Sequence, residues 1–157
     1  MRKLFGAGML AAILSLALAQ PAVAQGTVEF VVDGQKVAST VHNFARFSAK
    51  DDYNLTSSMH KDKRVVKLNL RNPAAGRTLE LGSLGEGNYG SYEPEYGKNS
   101  RSARITSGTI TFTSFDPVKR TFAATFAFAA KDDTGNTYGI KHGVVKDGVI
   151  GKSAVPD

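Results

Sequence analysis

Between residues 109 and 130 the chain alternates apolar and polar positions with a period of two. Ile110 and Phe112 fall on one side of the first run, and Thr109, Thr111 and Thr113 on the other. Asp116-Pro117 then suits the first two positions of a type I turn. Beyond it Phe122, Ala124, Phe126, Phe128 and Ala130 share one side, opposite Thr121, Ala123, Thr125, Ala127 and Ala129. At helical pitch these sets would mix, so the pattern predicts two strands despite the helix-favouring alanines. Residues 132–136 read as a turn. Residues 137–145 alternate again, with Tyr138, Ile140, His142 and Val144 against Gly139, Lys141 and Gly143. This register puts His142 on the apolar side. The three runs predict a terminal meander over residues 109–145 whose phenylalanines face a shared core.

The same period recurs upstream. Residues 28–32 and 36–41 are β-rich runs joined by Asp33-Gly34, a strong hairpin signal. Residues 41–50 fit both periods and lean toward strand. Residues 51–64 are polar, with Tyr53 and Leu55 alternating inside charged flanks. In residues 65–70, Val66, Leu68 and Leu70 oppose Lys67 and Asn69. Proline and glycine make 72–76 a loop, and Leu79 and Leu81 point inward from residues 78–84. Residues 85–103 read as an irregular loop, because Gly90, Pro94 and Gly97 defeat the helical spacing of Tyr89, Tyr92 and Tyr96. The small, polar tail after Ile150 is expected to fray. These runs predict an all-β domain: an antiparallel β-sandwich or small β-barrel of about seven to nine strands.

The first residues read differently. Arg2 and Lys3 precede an apolar run over residues 4–19, Pro21 breaks it, and Ala22-Val23-Ala24 ends in small residues. This predicts a secretory signal peptide over residues 1–24, cut before Gln25, and a single domain over residues 25–157. A cut after Ala19 would leave Pro21 at the second position and is the weaker alternative. The apolar run is shorter than a bilayer span and no second one follows, so no membrane span is expected after cleavage. The absence of cysteine removes disulfide scaffolds, thiol chemistry and a lipid-bearing lipobox. The expected product is a free, monomeric, periplasmic or secreted protein.

The full chain has a formal net charge of +6, to which Arg2 and Lys3 of the leader contribute. The remaining excess is mild. It gathers at Lys61, Lys63, Arg64 and Lys67, and at Lys98, Arg101 and Arg104. Most such charge is solvated surface; its functional reading is attraction to anionic envelope polymers or lipid head groups. An exported chain without a nucleic-acid motif is not expected to bind nucleic acid.

The stretch from Gly108 to Thr113, Asp116, residues 125–128 and Gly143 resembles the closing motif of a family of small exported bacterial β-proteins of unknown function, often lipoproteins. Residues 32–38 resemble the opening of the same family, where a strand runs into Asp-Gly. This chain lacks the lipobox cysteine, and Ala123 or Ala124 stands where the family has a glycine. The resemblance implies an exported β-domain and carries over no catalytic residue.

Candidate chemistry is sparse. His42, His60 and His142 have no metal-ligand spacing. Residues 132–136 have alternating oxygens but lack the rest of a calcium loop. Glu93 and Glu95 are too close in sequence to be assigned as a glycosidase pair. No nucleophile elbow or phosphate-binding glycine loop is present. No catalytic residue, metal ligand or cofactor is therefore assigned. The best binding candidates are Tyr89, Tyr92, Tyr96 and Arg101 of the glycine-rich segment, with His142 as a group facing a cavity. The expected role is a non-catalytic binding module for an unidentified envelope ligand or protein partner. The alternative is a structural or protein-interaction domain without a small ligand, meeting its partner through an open sheet edge or the tyrosine segment.

Overall fold

The structure, a computed structural model, describes residues 26–48, 50–57, 63–83, 87–97 and 101–152. Nine strands form a closed barrel: β1 (Thr27–Val32), β2 (Gln35–Arg46), β3 (Asp52–Ser57), β4 (Val65–Arg71), β5 (Thr78–Gly82), β6 (Asn88–Glu93), β7 (Ala103–Asp116), β8 (Thr121–Lys131) and β9 (Thr137–Val149). Their order around the barrel is β1-β2-β3-β4-β6-β5-β7-β8-β9, and β9 returns to pair with β1. Of the two architectures expected, the barrel is the one formed. All neighbours run antiparallel except β5 and β6, which are parallel. Short β5 fills only one end of the gap between β6 and β7, and these two pair directly at the other end through Ser91–Arg104 and Tyr92–Ala103.

Asp33 and Gly34 both take positive φ. That is the geometry a two-residue hairpin needs to match strand twist. Asp116 Oδ1 accepts hydrogen bonds from the backbone N–H groups of Val118 and Lys119, which fixes the β7–β8 turn. Val66, Leu68, Leu70, Leu79 and Leu81 are buried as their alternation predicts.

The barrel interior is filled by rings and branched side chains. Toward one end Phe44 lies 4.0 Å from Phe122 and 5.2 Å from Tyr53, with Phe112 and Phe115 around them. Toward the other, Phe30 meets Tyr92 edge-on at 6.3 Å and Tyr92 meets Tyr138 at 5.4 Å. Phe126 and Phe128 stack between these groups. The phenylalanines of β7 and β8 therefore line the core, with Phe115 only partly buried at its edge.

Strand β9 departs from simple alternation. Register shifts against both neighbours fall beside Lys141-His142, and His142 and Asp147 both take positive φ. The inward positions are Ile140, Gly143, Val145 and Gly148. Each slip inserts one residue and bends the strand, as β-bulges do where barrels close. Gly143 and Gly148 lie opposite Phe126 and Phe122. A side chain at either glycine would collide with the facing ring. The small residues make room for the large ones.

The tail after Ile150 is held rather than frayed through Gly151. Ile150 is buried. Gly151 N–H donates to Phe44 O at 2.6 Å, and Arg120 Nε donates to Ile150 O at 2.8 Å. This stitches β2 to the end of β9 beyond Thr27, the first residue of β1.

Candidate functional site

The segment expected to be a loop contains strand β6, and that decides where its tyrosines go. Tyr92 faces inward, because it pairs with buried Ala103 and Val66, and Ser91 beside it faces outward. Tyr92 is 1% exposed. It is a core ring, and the binding expectation for it is corrected. Tyr89 lies on the outer face of β6, paired with Asn69 and Gly82 and half-buried. Tyr96 is 41% exposed, and its ring lies 5.4 Å below the Lys67 ammonium.

For His142 it is the placement on the apolar side of its strand that is corrected. The bulge at Lys141-His142 rotates it to the exterior, where it lines a shallow outer cleft of about 420 Å³ with Thr109, Thr111 and Thr125. His60 lies outside the described residues. Another outer cleft, of about 510 Å³, lies between His42 and Asn43 of β2 and Lys119 and Arg120 of the β7–β8 turn.

The most polar arrangement sits where β7 begins and β8 ends. Ala103 and Ile105 point into the core, so Arg104 between them points out. Ala130 points in, so Lys131 points out. The ladder pairs Arg104 with Lys131 directly. Like charges in this relation repel by a fraction of about 1 kcal/mol. Neither side chain has a hydrogen bond or ion pair among the described residues. Together with Arg101, Ser102, Asp132 and Asp133 they line a cleft of about 650 Å³.

The same cross-strand row continues in both directions. Lys131 pairs with Thr137 on β9, Arg104 with Ser91 on β6, and Ser91 with Lys67 on β4. At the far end of the row Lys67 is neutralised: its Nζ donates to Glu93 Oε1 at 2.6 Å. The other oxygen of buried Glu93 has no partner. The uncompensated charge therefore concentrates at Arg104 and Lys131.

Asp132 lines the cleft but is committed to its own turn. Its Oδ1 accepts from Thr134 N–H at 3.0 Å, Thr134 Oγ1 at 2.9 Å and Asn136 N–H at 2.8 Å. Its Oδ2 accepts from Asn136 Nδ2 at 2.9 Å and Tyr138 Oη at 3.3 Å. Burial pushes its carboxyl up, but the donors of Asn136 and Thr134 outweigh this and hold it at about 2. Burial and the Asp132 charge raise the Tyr138 phenol. Residues 132–136 thus form a turn knotted around one carboxylate. Arg101 braces the same turn, with Nη1 3.5 Å from Thr134 Oγ1.

Of the five binding candidates, the structure brings Arg101 into the basic cleft and leaves Tyr96 beside Lys67 at the other end of the row. Tyr89 is on the same outer face, two positions beyond Ser91. Lys131 and Ser91 were missed, and Arg104 was noted only as part of a charge cluster. Their convergence follows from strand register, to which the charge pattern gave no guide. Among the described residues no three His, Cys, Asp or Glu side chains are grouped to hold a metal ion, and no helix is long and apolar enough to cross a membrane.

No protein-family model, curated protein or solved structure matches the chain. The resemblance of the closing meander to a family of exported β-proteins rests on its strand-and-turn motif alone.

Proposed function

We propose that this protein is an exported, non-catalytic binding module of the cell envelope that holds an anionic group at the Arg104–Lys131 cleft. The observation that carries the reading is the direct cross-strand pairing of two exposed cations that make no ion pair or hydrogen bond among the described residues. An anion between them relieves their repulsion and is held by charge-assisted hydrogen bonds. The signal-like leader and mild basic excess suit a periplasmic or secreted protein that meets anionic envelope material. The ring-filled interior speaks against an apolar ligand inside the barrel. Among the described residues closure pairs the outermost strands β1 and β9, which speaks against a partner strand added at a sheet edge.

The test compares two variants of equal charge change. Arg104→Gln/Lys131→Gln removes the pair; Lys141→Gln/Lys146→Gln removes two exposed lysines of β9. Binding to a polyanion such as polyphosphate is measured at several salt concentrations. Loss confined to the first variant supports the reading. Equal loss in both reduces the effect to net charge and defeats it.

A further inference from the structure

Resting on the anion-binding reading above, we propose that the group recognised at this cleft is a phosphomonoester dianion. Arginine presents a planar fork that matches two oxygens of a phosphate, while lysine supplies a compact point charge. Directly opposed residues of neighbouring strands have Cβ atoms about 4.5–5.5 Å apart. One tetrahedral group between Arg104 and Lys131 turns oxygens toward both. A planar carboxylate forked by the arginine offers the lysine only the outer lone pairs of the same two oxygens, in its own plane, whereas a phosphate keeps whole oxygens free to turn toward it.

The surroundings supply the remaining contacts. Arg101 stands at the rim of the cleft, braced against Thr134, and Ser102 adds a hydroxyl. Asp132 keeps its negative charge in the lining, but both its oxygens already accept hydrogen bonds within the turn, and it forms no ion pair with either cation. Exposed Asp133 is the one lining carboxylate with no hydrogen bond among the described residues. It opposes an anion, so removing its charge should tighten binding.

The experiment is isothermal titration of the purified protein, at a mildly alkaline pH where phosphate is mainly the dianion, with inorganic phosphate and, at matched ionic strength, with succinate, which spreads two negative charges over two planar groups. Vesicles of phosphatidylcholine doped with phosphatidic acid, a monoester, or with phosphatidylglycerol, a diester, separate a lipid head group from free phosphate. The expected result is preference for phosphate over succinate and for monoester over diester vesicles. Arg104→Lys, which keeps charge and loses the fork, should weaken phosphate binding about tenfold, and Asp133→Asn should strengthen it. Phosphate without vesicle binding identifies a soluble phosphate source; vesicle binding identifies the lipid. Equal binding of phosphate and succinate, unchanged in Arg104→Lys, overturns the phosphomonoester assignment and leaves the anion site standing. No binding of any of these anions, or of polyphosphate, overturns both.

Discussion

Phe126 of β8 and Gly143 of β9 are register partners, and the ring occupies the space that a side chain at position 143 would need. Phe122 and Gly148 repeat the relationship one bulge further along. Large rings thus fit a narrow, closed barrel because the facing strand is emptied at those positions. Gly143→Ala should destabilise the fold by about 1–3 kcal/mol through overpacking, and Phe126→Ala by about 3–5 kcal/mol through the cavity it leaves. In the double variant the new methyl enters the vacated space. The two costs should therefore fail to add, with a coupling of about 0.5–3 kcal/mol in urea unfolding. Strict additivity would mean that the ring and the glycine are independent.

Tyr92 behaves as core in this account. Its ring meets Phe30 and Tyr138 in the barrel interior. Tyr92→Ala should lower stability by about 3–5 kcal/mol, the cost of truncating a buried aromatic. Tyr96→Ala, at an exposed position, should change stability by no more than about 0.5 kcal/mol. Comparison of their melting curves checks the inward assignment of β6.

Lys67 and Glu93 form an ion pair in which the carboxylate is the buried partner, 8% exposed in its side chain. Lys67→Met should leave that charge unpaired and cost about 1–3 kcal/mol, less than a fully buried pair because Lys67 is partly solvated. Lys67→Met/Glu93→Gln should recover much of the loss, because the buried group is then neutral. Chemical denaturation of both variants measures the difference.

The Asp132 knot gives a pH dependence whose sign follows from its carboxyl. Its value is held at about 2 against an ordinary 3.8. The folded state therefore binds this proton less readily than the unfolded chain. The resulting stability is fully present above pH 3.8 and is lost as pH falls from there toward 2. The melting temperature of the native protein should drop more steeply across that window than that of Asp132→Asn. Parallel curves would remove Asp132 as a source of acid sensitivity.

The faces of most strands were legible because period two and hairpin chemistry are local. Asp33-Gly34 and the Phe122–Phe126–Phe128 alternation needed no knowledge of neighbours. Strand β6 was hidden because its glycine, serine and tyrosines carry little aliphatic signal; it is a strand through pairing with β4 and β7. His142 was misplaced because strict alternation has no room for an inserted residue. A signal was present: Lys141-His142-Gly143-Val144 recurs as Lys146-Asp147-Gly148-Val149, and two inward glycines an odd number of residues apart require a bulge between them. The meeting of Arg104 with Lys131 was not legible at all. Two register shifts separate that pair from the turn that joins their strands.

The most direct test of the anion site is a titration followed by backbone amide shifts of the isotope-labelled protein with polyphosphate. An anion at the cleft should give saturable shifts clustered at Ser91, Arg101, Ser102, Arg104, Lys131 and Thr137, and these should disappear in Arg104→Gln/Lys131→Gln. Shifts centred instead on the His142 cleft, or none at a salt concentration that preserves the fold, would contradict it.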